Sequence, residues 1–359
     1  MLAWSVVSGE VSTKRGGEVD VQVASERRDR VVSGPSAAAI RPVLAALDLG
    51  TNNCRLLIAR AHPGGFRVID AFSRIVRLGE GLSRSDRLSE RAMERTLAAL
   101  RVCGAKIQRR GATAVRAVAT EACRRAVNCD AFIEQVGQET GIVLEIISSV
   151  EEGRLALAGC SPLLDPNQPH ALVFDIGGGS TEIMWLEVEG GGLPPRLLDQ
   201  ISVRHGVVSL AEQYGGDQVD DQTYQTMVEA VSDEIAPFER RNGIRAAVNR
   251  GCVQLLGTSG TVTTLAGVNL GLERYERSLI DGSHLSIAHA LAVTRHLIRL
   301  DFHQRAAHPC IGYERADLVV AGCAVLEAIC RIWTFQRLRI ADRGLREGIL
   351  TDFVDRLSS

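Results

Sequence analysis

Leu47-Asp48-Leu49-Gly50-Thr51-Asn52-Asn53 runs into the apolar stretch Leu56-Leu57-Ile58-Ala59, and Phe174-Asp175-Ile176-Gly177-Gly178-Gly179-Ser180-Thr181-Glu182 runs into Ile183-Met184-Trp185-Leu186. Each reads as a buried strand ending in an aspartate, a tight Gly/Asn/Ser/Thr turn, and a second strand. Glycine lets the backbone approach a ligand closely, and successive turn N–H groups form a concavity that suits phosphate oxygens. An aspartate beside such a nest repels a bare phosphate. Its presence points to a magnesium ion between the two, held through carboxylate and water. One D-x-G turn is a common way to close a hairpin. Two with matching flanks predict duplicated domains that face one phosphate chain.

The chain has 359 residues, more than one simple core needs, so two domains are the expected organisation. Hydrophobic content of 45% with 23% charged residues is ordinary for a globular protein. A net charge of −2 offers no global attraction to nucleic acid or to an anionic membrane, and neither partner is expected. A polyanion has to be met by a local basic patch. No run approaches the ~18 uninterrupted apolar residues of a membrane span. The most apolar stretch, Leu318 to Cys330, carries Glu327 and reads as a core helix. Nine cysteines stand singly with no CxxC pair, which argues against a disulfide framework or a zinc site and fits a reducing cytoplasm. The eight histidines form no HExxH or comparable ligand spacing. Residues 1–41 mix Gly, Ser, Val and both charge signs without sustained periodicity, and lack the basic start and long apolar core of a secretory signal. They read as a disordered extension or as a start assigned too early.

Strands are expected over 43–60 around the first turn, at 66–72, 114–119 and 142–147. Helices are expected at 89–109, closed by Gly111, at 130–140, closed by Gly141, and from Val150 onward. The second half repeats the rhythm, with strands at 171–176, 183–188, 197–203 and 252–256. Its helices are expected at 207–214, 221–241, 286–300, 315–335 and 344–356. This pattern predicts an α/β protein with two similar domains around a cleft. The first comprises residues 42–157 plus 340–359, and the second residues 158–339.

Several ordered segments make the chain similar to the exopolyphosphatase / guanosine pentaphosphate phosphohydrolase family of the actin-like ATPase superfamily, over essentially residues 43–357. They are Asp48-Leu49-Gly50-Thr51-Asn52, Ala119-Thr120-Glu121-Ala122-Cys123-Arg124, Glu151-Glu152-Gly153-Arg154, the Asp175–Glu182 turn, Gly257-Thr258-Ser259-Gly260-Thr261, Arg315-Ala316-Asp317 and Gly344-Leu345-Arg346-Glu347-Gly348. The resemblance implies two actin-like (ribonuclease H-like) α/β domains flanking a cleft.

It also implies roles for individual residues. Hydrolysis of a phosphoanhydride needs an in-line water and a carboxylate to orient or deprotonate it. The residues alone do not separate Glu151 from Glu152 for that task, since either serves a helix N-terminus. The resemblance selects Glu152, with Glu121 as a second catalytic glutamate. It assigns magnesium to Asp175 and Glu182, which flank the glycine turn. Asp48 reads as a metal or water ligand from the opposite domain, or as an aspartate capping its own turn. Arg124 resembles the family's phosphate-contacting arginine, and a guanidinium grips phosphate bidentately. Asn52, Gly178, Gly179, Ser180 and Thr181 are expected to donate hydrogen bonds to the phosphates. Arg55 is a weaker candidate, and Arg346 is as well explained by a salt bridge to Glu347 or Asp342.

Two departures matter. Ser259 stands where many relatives have a glycine, which narrows a turn that packs on adenosine in ATPase cousins. The chain also stops at Ser359, short of the C-terminal helical domains of long family members, so high processivity on long polyphosphate is not expected. The expected protein is a cytoplasmic, magnesium-dependent hydrolase releasing terminal phosphate from inorganic polyphosphate, guanosine pentaphosphate or both, with a homodimer as one assembly open to it. The alternatives are an ATP-using kinase of the same superfamily and an alarmone-binding sensor without turnover.

Overall fold

In a computed structural model of the protein, residues 41–190 and 193–358 are described. The extension expected at residues 1–41 lies, Arg41 apart, outside the described residues. Three strands, β1 (Val43–Leu49), β2 (Asn53–His62) and β3 (Gly65–Ile75), form an antiparallel meander, and β4 (Ala114–Ala119) and β5 (Leu144–Ile146) extend it in parallel from β1. The sheet order is β3-β2-β1-β4-β5.

A second sheet repeats that order. Its meander is β6 (His170–Ile176), β7 (Thr181–Glu187) and β8 (Arg196–Val203), and β9 (Val253–Thr258) lies parallel to β6. Beyond it come β10 (His284–Ser286), at the edge, and β11 (Arg337–Ala341), giving β10-β11-β9-β6-β7-β8. The same order of strands in both sheets is the repeated α/β organisation expected from the sequence. Two strands were not anticipated. β11 lies between the segments read as helices, although Arg337-Leu338-Arg339-Ile340 alternates as a half-buried strand should. β10 is too short to announce itself.

The helices that frame the site are α1 (Glu90–Arg110), α2 (Glu121–Arg125), α3 (Cys129–Thr140), α4 (Ser149–Cys160), α5 (Val207–Tyr214), α6 (Asp221–Asn242), α7 (Gly260–Asn269), α8 (Val319–Ile332) and α9 (Leu345–Ser358). Helix α1 starts where the Ser89 hydroxyl accepts from the Ala92 N–H and stops at Gly111, whose φ of 61° suits a residue without Cβ. The fourteen-residue α8 is shorter than the segment expected at 315–335. Helix α7, directly after β9, was not expected.

Alternation along β1 and β2 sends Leu47, Leu49, Leu56 and Ile58 to a core with Leu100 and Phe132, and Leu44, Ala46 and Leu57 to the other face. That second face receives Leu155 from α4 and Ile349 and Leu350 from α9. Helix α4 also sends Leu157 and Cys160 into a cluster with Val173, Met184 and Leu256 of the second sheet. It therefore packs between the sheets and carries its N-terminus to the space between their turns. The crossing of α4 and α9 is close: a Cβ on Gly159 would sit 2.0 Å from the Gly344 carbonyl oxygen.

Candidate active site

The two turns expected to grip phosphate line one cavity of about 800 Å³. Their backbones match position by position. Gly50 N–H donates to the Asn53 carbonyl at 2.9 Å, and Gly177 N–H donates to the Ser180 carbonyl at 2.9 Å. In register, Asp48 pairs with Arg55 and Asp175 with Glu182. The turns also touch. A Cβ on Gly178 would lie 2.9 Å from Thr51 Cβ and 3.1 Å from Asn52 N, and one on Gly179 would lie 2.9 Å from Glu121 Cγ. The glycines are thus the condition for closing one turn over the other. Asn52, Gly178, Gly179 and Ser180 line the cavity as expected. Thr181 does not; it is fully buried and its hydroxyl donates to the His205 carbonyl at 2.7 Å.

Four acids meet at this wall. Asp48, Asp175, Glu121 and Glu152 line the cavity, and Glu182 lies beneath it, with the Ser180 and Ser202 hydroxyls donating to its Oε1 at 2.8 and 2.9 Å. Burial, then the neighbouring Glu152, lifts the Asp175 carboxyl to about 7. Burial, then Asp175, lifts Glu182 to about 7, and burial, then Glu182, lifts Glu152 to about 8 against the pull of Arg124. Burial raises Asp48 as well, with Arg55 and Arg346 opposing.

The sequence leaves Glu151 and Glu152 equivalent, and the structure separates them. Consecutive helical residues point about 100° apart. Glu151 turns to Arg154 and Arg116, the former chiefly holding its carboxyl down at about 2, while Glu152 turns to the cavity.

Five arginines line the cavity, of which Arg343 pairs with Asp281 and Arg74 lies over the Phe72 ring. Arg55 on β2, Arg315 ahead of α8 and Arg346 on α9 have no side-chain hydrogen bond or ion pair among the described residues. Burial lowers both Arg315 and Arg346 from the usual arginine range, and Arg55 adds to that for each. The salt bridges considered for Arg346 are not formed, because Asp342 and Glu347 pair with Arg277 instead. Unpaired, inward-facing guanidinium groups make a site for an anion. Arg315 was read in the sequence only as part of a motif; its place on the cavity wall shows once the strand ends converge. Arg124 is differently placed. It lies outside the cavity lining, and its guanidinium donates to Glu121, Glu152 and the Ile147 carbonyl.

Residues 57–357 match the Ppx/GppA phosphatase family. The chain belongs to that family. Among its relatives, a putative exopolyphosphatase of Haemophilus influenzae is 28% identical over 320 residues, 86% of this chain and 90% of that protein. The guanosine-5'-triphosphate,3'-diphosphate pyrophosphatase of Aeromonas hydrophila is 31% identical over 313 residues, 86% of this chain but 59% of the relative's length. Among solved structures, an exopolyphosphatase-like protein superposes with a TM-score of 0.80 at 28% identity, covering 89% of this chain and all of that one. The Ppx/GppA family member of Aquifex aeolicus superposes at 0.71 with 26% identity, covering 89% and 99%.

Against this family frame, the acids fit a magnesium ion. Asp48 and Asp175 occupy corresponding hairpin positions at the cavity, and neither carboxylate has a hydrogen-bond partner among the described residues. Oxygen-only ligands are what magnesium takes. Among the described residues no three His, Cys, Asp or Glu groups gather into a complete metal cage. Magnesium does not require one, because it keeps several waters and binds through one or two carboxylates plus substrate phosphate.

The third glycine-rich turn also reaches the cavity. Ser259 holds a φ of 142°, in the region that favours glycine, and its Oγ accepts from the Thr261 and Val262 N–H groups at the start of α7. The seryl side chain is thus occupied as a helix cap. No helix among the described residues is long and apolar enough to cross a membrane.

Proposed function

We propose that this Ppx/GppA family member is a magnesium-dependent phosphohydrolase that releases the terminal phosphate of inorganic polyphosphate, of guanosine pentaphosphate, or of both. The observation that carries the reading is the meeting of two backbone-matched turns over one cavity with Glu152 on its wall.

In this reading Asn52 and the Gly178–Ser180 backbone cradle the phosphates, and Arg55, Arg315 and Arg346 neutralise their charge. Asp175 and Asp48 hold magnesium, with Glu182 behind them; the ion supplies charge neutralisation and a fixed place for the phosphate oxygens. Glu152 orients the attacking water and takes its proton. Burial, then Glu182, raises this carboxyl in the metal-free protein, and a more basic carboxylate suits a general base. The leaving phosphate oxygen departs in line with the water. Glu121 flanks Glu152 on the same wall. Closure of the two sheet-bearing halves completes the site and excludes bulk water.

The test is phosphate release from tripolyphosphate, longer polyphosphates and guanosine pentaphosphate, each with and without magnesium. Release from at least one, abolished by chelation, is the expected result. Turnover of ATP only in the presence of a cosubstrate supports a kinase instead. Tight alarmone binding with no phosphate release supports a sensor.

A further inference from the structure

We propose that Arg124 is a positioning residue for Glu121 and Glu152, and not a ligand of the phosphate. Its guanidinium sits behind the acidic wall. Nε and Nη2 donate to Glu121 Oε2 at 3.1 and 2.9 Å, and Nη1 donates to Glu152 Oε2 at 2.7 Å and to the Ile147 carbonyl at 2.9 Å. Three of the fork's nitrogens are thereby committed to the protein.

The bonds to Glu121 and Ile147 give the clasp its purpose. Arg124 is in the last turn of the short helix α2, one turn after Glu121 at its start. Ile147 directly precedes Ser148, the N-cap of α4, whose hydroxyl accepts from the Glu151 N–H. One guanidinium therefore ties α2 to the start of the helix that carries Glu152. Both carboxylates and the guanidinium are largely shielded, at 15%, 13% and 17% side-chain exposure. Two acids held that close without a cation repel each other, and a buried carboxylate that loses its partner swings or takes up a proton. The planar fork fixes the Glu152 carboxyl in one rotamer, with its other oxygen left for the cavity. A lysine ammonium is a point charge on a flexible stem and cannot hold all three acceptors at once.

The kinetic arm of the test rests on the phosphohydrolase reading, and the unfolding arm does not. In Arg124→Gln, kcat for phosphate release is expected to fall by about 100-fold, with KM and inhibition by orthophosphate changed by less than about threefold. Arg124→Lys is expected to recover little. A variant with nearly normal kcat but KM and orthophosphate inhibition weakened at least about tenfold would overturn the proposal, since that is the signature of a lost phosphate contact. In thermal unfolding, Arg124→Gln is expected to lower Tm, and adding Glu152→Gln is expected to restore part of the loss. Strictly additive losses would also overturn it. If the parent protein releases no phosphate from any polyphosphate or from guanosine pentaphosphate, the phosphohydrolase reading fails, and the unfolding cycle still decides the clasp.

Discussion

In the first hairpin Asp48 stands across from Arg55, and in the second Asp175 stands across from Glu182. Both turns are closed by the same backbone hydrogen bond and both face the same cavity, so the one systematic difference at this pair is the sign of a charge. Beside Asp48 a guanidinium offsets the aspartate and reaches for an anion. Beside Asp175 a second carboxylate deepens the negative field; burial, then Glu152 for Asp175 and Asp175 for Glu182, lifts both groups to about 7. The two hairpins share one backbone scaffold, and under the proposed function the residue across from each aspartate biases it. Arg55 adds positive charge for phosphate at the first turn, and Glu182 adds negative charge for the counter-ion at the second.

The largest expected consequence is on the second hairpin. Asp175→Asn should cut phosphate release on the order of 1,000-fold, the scale of losing a preorganised charge at the reacting centre. Calorimetry should show magnesium binding lost with it. Arg55→Gln is the contrast: magnesium binding should persist, while anion binding weakens by roughly tenfold, as for one lost charge-assisted hydrogen bond. If both variants lose magnesium equally, the division of labour is wrong.

Next in size is the contact between the turns. Gly178→Ala places a methyl against Thr51 and the Asn52 backbone and should wedge the hairpins apart. Activity should fall by up to about 100-fold, the cost of misplacing reacting groups by around an ångström, while far-ultraviolet circular dichroism stays unchanged.

The charge difference also sets a pH dependence. A carboxyl whose folded pKa is raised binds its proton more tightly in the folded state, so stability falls as pH rises from the ordinary carboxylate range through the raised value. Metal-free protein should therefore show Tm declining between about pH 4 and pH 7, the window set by the ordinary carboxylate pKa and by Asp175 and Glu182. Glu182→Gln should flatten that decline, and a flat Tm in the parent protein would remove the basis for it.

The smallest effect belongs to the third turn, outside either cradle. Ser259→Gly relieves the strain of a φ of 142°, worth about 1 kcal/mol or more, and loses only a few tenths by weakening a cap. A net gain of up to about 1 kcal/mol in chemical denaturation is expected.

Much of this was legible in the chain because it is local. Each turn announces itself through an aspartate, glycines and flanking apolar strands within a dozen residues, and Gly111 and Gly141 end their helices where a left-handed residue is needed. The rest depends on distant segments meeting. Glu151 and Glu152 look alike until the packing of α4 between two sheets decides which one faces the cavity. Arg55, Arg315 and Arg346 come from β2, a turn and α9, and only the assembled strand ends bring them together. Thr181 carries a phosphate-binding side chain by type, yet it lies outside the cavity lining with its hydroxyl on the His205 carbonyl, and no spacing in the sequence reveals that Arg124 bridges Glu121 and Glu152.

The central claim is that one buried carboxyl activates water over a phosphate chain held by both turns. Single-turnover release of phosphate from magnesium tripolyphosphate by Glu152→Gln tests it most directly, with binding of the same substrate measured alongside. The account predicts binding like that of the parent protein and release slower by at least roughly 100-fold. Near-normal release would contradict it.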